Sequence, residues 1–271
     1  GLMPQRPASY VYEQSTAKTN AASLDATAPA PAPAKRSADA GAAANAVKKS
    51  SELFSDATRQ QLNVVFSRMS RPVTLALELD DTPLSTELRG FIDALVALSG
   101  GKLKSTVVDG ECKKDDTGRA VFDVDNVLPA ARPCVRMVVD GEPTGLAFHG
   151  VPSGHEFNSF VLGLYNVAGP GQPLSDDLID RSRSITDPLD IMVLVSLTCT
   201  MCPETVLASQ RIASLNPAVR AEAYDVAHFP ELRDHYGAMS VPCIVITRAD
   251  GTQQVEFGKK SIPQMLELVG A

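Results

Sequence analysis

Cys199-Thr200-Met201-Cys202 places two thiols three positions apart, after an apolar stretch and before an amphipathic one. On the first turn of a helix, two such sulfurs can close a small disulfide ring. The unpaired N–H groups and macrodipole of a helix start also stabilise a thiolate there. In that chemistry Cys199 is the exposed attacking thiolate and Cys202 the buried thiol that resolves a mixed disulfide. Pro203 falls in the first turn, where a missing N–H costs little. The competing reading is half of a zinc site, because C-x-x-C is also a metal spacing. Zinc needs two more ligands, and no second pair exists: Cys112, Cys134, Cys243, His228 and His235 stand singly. Redox chemistry is the better reading, with no metal expected. Cys134 and Cys243 each follow a proline at the head of an apolar run and read as small buried hydrophobes. Cys112 stands in a polar stretch and receives no role, and His149, His228 and His235 read as structural or surface residues.

The elements that must hold this pair can be followed along the chain. Residues 1–51 contain an Ala/Pro/Ser/Lys-rich run that could bury almost nothing, and they read as a disordered linker or tail. A helical stripe (Leu53, Leu62, Val65, Phe66, Met69) then leads to an alternating strand (Val73, Leu75, Leu77, Leu79). A helix over 84–98 follows, then a strand over 103–108, a polar loop over 109–119 and a strand over 133–139. Asp140-Gly141 marks a hairpin turn, a strand covers 145–148, a helix starts near Gly154, and a polar connector helix covers 176–184.

The pattern then recurs. Residues 191–197 are a near-continuous apolar strand, as expected of a central buried one. A helix with Val206, Leu207, Ile212 and Leu215 inside follows, then a strand over 219–226 and a short helix over 230–236. A hairpin over 243–257 and a last helix capped by Ser261 complete the unit. Pro133-Cys134-Val135 running to Asp140-Gly141 echoes Pro242-Cys243-Ile244 running to Asp250-Gly251. The order β-α-β-α-β-β-α is that of a thioredoxin or glutaredoxin fold. The chain therefore reads as α/β, with two tandem copies packed together, 52–185 (including the connector helix) without a dithiol and 186–271 with it. Aligning the first strands puts Asp81 opposite Cys199 and Leu84 opposite Cys202, which makes the first copy redox-inactive. In this fold the proline of Val241-Pro242 is cis and packs beside the disulfide. Val241 and Pro242 are then the residues whose backbone pairs with an incoming chain.

Composition narrows the partners. A net charge of −7 over 271 residues argues against nucleic acid, since few phosphates would be neutralised. No apolar run approaches a membrane span, and no signal segment opens the chain. Five cysteines without a scaffold pattern suit a reducing, cytoplasmic setting.

The run from Gly154 to Leu164 (GHEFNSFVLGL), the segment Thr198-Cys199-Thr200-Met201-Cys202-Pro203 and Val241-Pro242 together resemble the N-terminal tandem thioredoxin-like domain of the alkyl hydroperoxide reductase flavoprotein. The resemblance runs from about Glu52 to the end. It implies an electron carrier that takes reducing equivalents from an FAD-containing, NAD(P)H-dependent flavoprotein disulfide reductase and passes them to a peroxiredoxin. It also implies that Cys199 and Cys202 are the redox pair, and that the family's acidic residue near the dithiol is Glu156. On its own Glu156 reads as a first-turn acid that suits the helix dipole; with the resemblance it is also a candidate proton relay or a like-charge influence on a thiol. No Gly-x-Gly-x-x-Gly is present, so FAD and NAD(P)H belong to a partner or adjoining domain and no cofactor is expected in this chain. The rivals are a general protein-disulfide oxidoreductase acting on client proteins and a non-catalytic binding module. An intact C-x-x-C argues against the second.

Overall fold

The computed structural model describes residues 52–125 and 130–271. The expected linker over 1–51 lies outside the described residues. The first half runs α1 (Asp56–Arg68), β1 (Val73–Glu78), α2 (Pro83–Leu98), β2 (Leu103–Val107), β3 (Cys134–Val139), β4 (Glu142–His149) and α3 (Glu156–Ala168). The second runs α4 (Asp176–Arg183), β5 (Leu189–Val195), α5 (Cys202–Leu215), β6 (Val219–Asp225), α6 (Pro230–His235), β7 (Cys243–Arg248), β8 (Gln253–Phe257) and α7 (Ile262–Val269). Local chemistry sets several boundaries. Ser55 caps α1 by accepting from the Thr58 N–H at 3.2 Å. At α7 the Ser261 N–H donates to Gln264 Oε1 at 2.9 Å, one arm of a capping box. Asp140 and Gly141 both take positive φ, as the tight β3–β4 turn demands.

Each half contributes four strands, β2-β1-β3-β4 and β6-β5-β7-β8, and the halves meet edge to edge. β4 and β6 pair in parallel, Leu146 with Ala221 through His149 with Tyr224, so one eight-stranded sheet crosses both folds. The two folds are tandem thioredoxin-like units, and the first carries no dithiol. One sheet face is covered by helices from both halves. There Ile191, Val193 and Val195 of β5 meet Val206 and Ile212 of α5, in a core that continues to Leu88 and Leu95 of α2. The other face holds Met192 and Leu194 against Phe229 and Leu232 of the α6 segment. From Ile191 to Val195 β5 is thus buried on both faces, which explains the apolar run there. The polar segment read as a connector, α4, packs on α5 and α7 of the second fold. There Asn216 Nδ2 donates to the Ser182 carbonyl at 2.8 Å.

The polar insertion after β2 is more ordered than a loop. Lys114 bridges Ala120, the Asp81 N–H donates to the Gly118 carbonyl at 2.9 Å, and the Ala120 N–H donates to Asp80 Oδ2 at 3.0 Å. This hairpin lies over the start of α2, the place where the second fold carries its dithiol. Ser99 and Asn216 cap α2 and α5 alike, their N–H groups donating to Val96 and Ala213. Counted back from these caps, Thr82 and Ser85 stand opposite Cys199 and Cys202; counted forward from the strand register, Pro83 and Thr86 do, and none of these is a cysteine. The strand-to-helix connections differ in length, so the strand and helix-end alignments do not coincide.

Candidate active site

The loop leaving β5 turns sharply into α5. The Cys199 N–H donates to the Ser196 carbonyl at 2.9 Å, and Cys202 is the first residue of the helix. Cys199 and Cys202 are joined as a disulfide with Cα atoms 5.6 Å apart. The Cys202 N–H, one of the unpaired donors of the helix start, points at Cys199 Sγ from 3.1 Å. That donor stabilises negative charge on Cys199 once the disulfide opens. Cys199 is half-buried and Cys202 is fully buried, so only the first sulfur can meet a partner.

The Val241 carbonyl lies 3.8 Å from Cys199 Sγ, and the peptide bond between Val241 and Pro242 is cis. The bond between Arg132 and Pro133 in the first fold is cis as well. Pro242 is buried, and its carbonyl accepts from the Gly258 N–H at 3.0 Å. Met201, between the two cysteines, and Met239, two residues before Val241, are exposed, the second almost completely. Cys134 and Cys243 are free and buried, as read from the sequence. Burial pushes the Cys243 thiol up to about 11 and the Cys134 thiol well above its ordinary value, so both are inert at neutral pH. Cys112 is free and half-buried in the insertion.

Glu156 opens α3 in the first fold, yet it is fully buried. The segment before it packs on the loop that carries Cys199: the His155 N–H donates to the Leu197 carbonyl at 2.9 Å. Gly154 has φ +56° there, and a Cβ would come within 2.6 Å of the Leu197 oxygen, so only glycine fits. Further along, Gly163 of α3 lies against Gln210 of α5. The two helices therefore run side by side in the same direction, with Glu156 and Cys202 at the same end. Glu156 Oε2 accepts from Ser159 Oγ, while Oε1 has no partner among the described residues. Burial pushes the Glu156 carboxyl up to about 7; the Ser159 hydroxyl opposes that rise and like-charge repulsion from Asp225 adds to it. Asp225 at the end of β6 carries no motif, and nothing in the sequence singles it out. Only the register that brings β6 beside β4 and β5 places it here.

Among the described residues, no group of three or more His, Cys, Asp or Glu side chains is arranged to hold a metal ion. Nor is any helix among them long and apolar enough to cross a membrane.

A family model described as a thioredoxin domain matches residues 189–256. The crystal structure of the NTD_N/C domain of the alkylhydroperoxide reductase AhpF from Enterococcus faecalis superposes with a TM-score of 0.68 at 37% identity, covering 79% of this chain and 99% of that one. The chain belongs to the AhpF family of alkyl hydroperoxide reductases. The family member from Pseudomonas aeruginosa is 31% identical over 188 residues, covering 69% of this chain and 32% of the relative. The chain thus spans about a third of the length of such curated relatives. A protein disulfide oxidoreductase from Aeropyrum pernix shares the fold, with a TM-score of 0.63 at 23% identity over 79% of this chain and 91% of that one. As an AhpF relative with a C-x-x-C disulfide on a thioredoxin fold, the chain is a dithiol–disulfide oxidoreductase.

Proposed function

We propose that this chain carries electrons from an FAD-containing, NAD(P)H-dependent disulfide reductase, separate or adjoining, to a peroxiredoxin, within a cytoplasmic system that removes peroxides. The observation that carries the reading is the asymmetry of the disulfide. One sulfur is reachable and faces the helix-start N–H of Cys202; the other is sealed beneath it. On this reading 52–185 is the silent fold and 186–271 the active one, Cys199 and Cys202 are the redox pair, and Glu156 moves a proton. The backbone at Val241, beside Cys199 and ahead of the cis Pro242, receives the partner chain.

The flavin and nicotinamide on the reductase supply two electrons, which arrive by thiol–disulfide exchange and leave Cys199 and Cys202 reduced. The Cys199 thiolate then attacks a peroxiredoxin disulfide, forming a mixed disulfide and releasing one partner thiolate. The Cys202 thiol gives its proton to the Glu156 carboxylate and attacks Cys199 sulfur. This re-forms the Cys199–Cys202 disulfide and releases the second partner thiolate. Two electrons pass in all, and the proton held on Glu156 returns to the medium or to the leaving thiolate.

The test is peroxide-dependent NAD(P)H oxidation in a mixture of reductase, this chain and peroxiredoxin. Cys199→Ser should abolish turnover, and Cys202→Ser should accumulate a mixed disulfide visible by non-reducing mass analysis. Wild-type turnover by Cys202→Ser would overturn the assignment. Insulin reduction as fast as peroxiredoxin reduction would instead favour a general protein-disulfide oxidoreductase.

A further inference from the structure

The insertion between β2 and β3 is held by both folds. In chain order it takes the place that α6 and its flanking loops take between β6 and β7, and both segments return to a strand through a cis proline, Pro133 or Pro242. The silent fold grips it at Asp80 and Asp81. Besides the Ala120 and Gly118 contacts there, Lys114 Nζ pairs with Asp81 at 2.7 Å, and both Asp80 and Ala120 are buried. The active fold grips it at α6. Arg119 forks onto both carboxylate oxygens of Glu231, and its Nη2 also donates to the His228 carbonyl at 2.9 Å. The Phe122 ring packs against Phe229 with centroids 5.9 Å apart, and Asp125 Oδ1 lies 3.5 Å from His235 Nε2 at the end of α6. Neighbouring residues of one segment are thus fastened to two folds.

What α6 holds in turn is the approach to the dithiol. Leu232 is fully buried and its carbonyl accepts from the Tyr236 N–H at 3.0 Å, while the Ala238 N–H donates to the Arg233 carbonyl at 2.8 Å. Only Met239 and Ser240 then separate Ala238 from Val241, whose carbonyl lies 3.8 Å from Cys199 Sγ. Ala238 and Pro242 are both buried, so the short stretch between them has little slack and a shift of α6 is passed on to Val241. We propose that the insertion is a strap by which the silent fold fixes the partner-receiving segment of the active fold, with Arg119 as its positioning residue. The inference rests on the reading that the backbone at Val241 receives the partner. A bidentate guanidinium–carboxylate pair fixes orientation as well as distance, which a single ammonium contact does not. None of the Arg119 contacts among the described residues is with the dithiol, so Arg119 acts on the docking of a protein disulfide and not on the exchange chemistry.

Two readouts test this. The first is amide hydrogen exchange over residues 238–241 in the oxidised protein, followed by NMR with no partner present. The second is single-turnover oxidation of the reduced protein by a peroxiredoxin disulfide, which gives a half-saturating concentration and a limiting rate. The small disulfide 5,5′-dithiobis(2-nitrobenzoate), which needs no docking surface, serves as the control. Arg119→Gln should speed exchange over 238–241 and raise the half-saturating concentration by about three- to five-fold, the worth of one partly exposed ion pair. The limiting rate and the small-disulfide rate should not change. Exchanging the charges, Arg119→Glu with Glu231→Arg, should restore both readouts, while Glu231→Arg alone should not. Unmoved amide exchange in Arg119→Gln, an equal loss in the small-disulfide rate, or no recovery on charge exchange would overturn the inference. Val241→Asp, at the contact itself, separates the inference from the reading beneath it. If Val241→Asp raises the half-saturating concentration and Arg119→Gln does not, the strap is overturned. If Val241→Asp leaves that concentration unchanged, the reading of Val241 fails, and amide exchange alone decides whether the strap fixes the segment.

Discussion

A carboxylic acid buried with one oxygen unpartnered, as Glu156 is among the described residues, costs stability whenever it must ionise. Its folded value of about 7 stands above the ordinary 4.5, so the folded state binds the extra proton between those values. Stability from this group is therefore complete below about 4.5 and is lost as pH rises through about 7. Glu156→Gln should remove that dependence and raise stability at pH 8 relative to pH 5 by roughly 3 kcal/mol, measured by urea unfolding at both values. The same substitution should lower the thiolate value of Cys199 in a Cys202→Ser protein, because a like charge is gone. The alkylation rate against pH checks this, and the difference should appear only above about pH 7, where Glu156 is charged. An unchanged titration would make Glu156 a plain helix-start acid. A carboxylate on an amphipathic helix usually faces water, so no local pattern marks Glu156 as buried; the family resemblance singles it out.

At the scale of elements, the loop before α3 and the loop before α5 act as one unit through the His155–Leu197 hydrogen bond. Gly154→Ala puts a methyl against the Leu197 oxygen in a left-handed backbone, and both effects push the loops apart. It should cost about 1–3 kcal/mol and slow thiol exchange more than a distant substitution of equal cost, as thermal unfolding and exchange rate together would reveal. Most elements are legible in the sequence because their patterns are local. β5 declares itself by the apolar run from Ile191 to Val195, the β3–β4 turn by Asp140-Gly141, and α5 by the dithiol and Pro203. The order within the insertion is not legible. Its hairpin is held by Asp80 and Asp81, and Asp80 is itself gripped by Ser85 Oγ and Thr82 Oγ1 at 2.6 Å each, while the Ala120 N–H reaches it from a segment far along the chain. Similar distance along the chain hides Asp225.

Across the whole molecule, the seam between the folds is threaded by buried charge. Arg136 of β3 reaches Glu78 of β1 at 2.8 Å and Glu222 of β6 at 2.7 Å. His149 of β4 meets the other Glu222 oxygen at 2.7 Å and stacks on Tyr224 with ring centres 3.9 Å apart. Burial alone would raise the Glu222 carboxyl; Arg136, His149 and Arg220 outweigh it and hold the group well below the usual carboxylate range. Its stabilising contribution is therefore present at neutral pH and lost as pH falls below that range. Arg136→Met leaves Glu78 and Glu222 facing each other without that cation and should destabilise the protein by about 3–5 kcal/mol, measured by urea denaturation at pH 7. A loss under about 1 kcal/mol would mean that the apolar packing around β4 and β6 carries the seam by itself.

The parallel pairing of β4 with β6 also decides what a damaged seam would become. Each fold alone would end on a strand with a full row of unpaired N–H and C=O groups, and one row is answered by the other. In the joined sheet the outer strands among the described residues are β2 and β8, each five residues long and interrupted by exposed polar side chains such as Lys104 and Gln253. Short, polar outer strands give a neighbouring molecule little to extend. β4 and β6 are longer and carry apolar residues at alternate positions, so prising them apart would uncover two sticky templates at once. Weakening the seam should thus produce self-associating material before it produces two independent soluble halves.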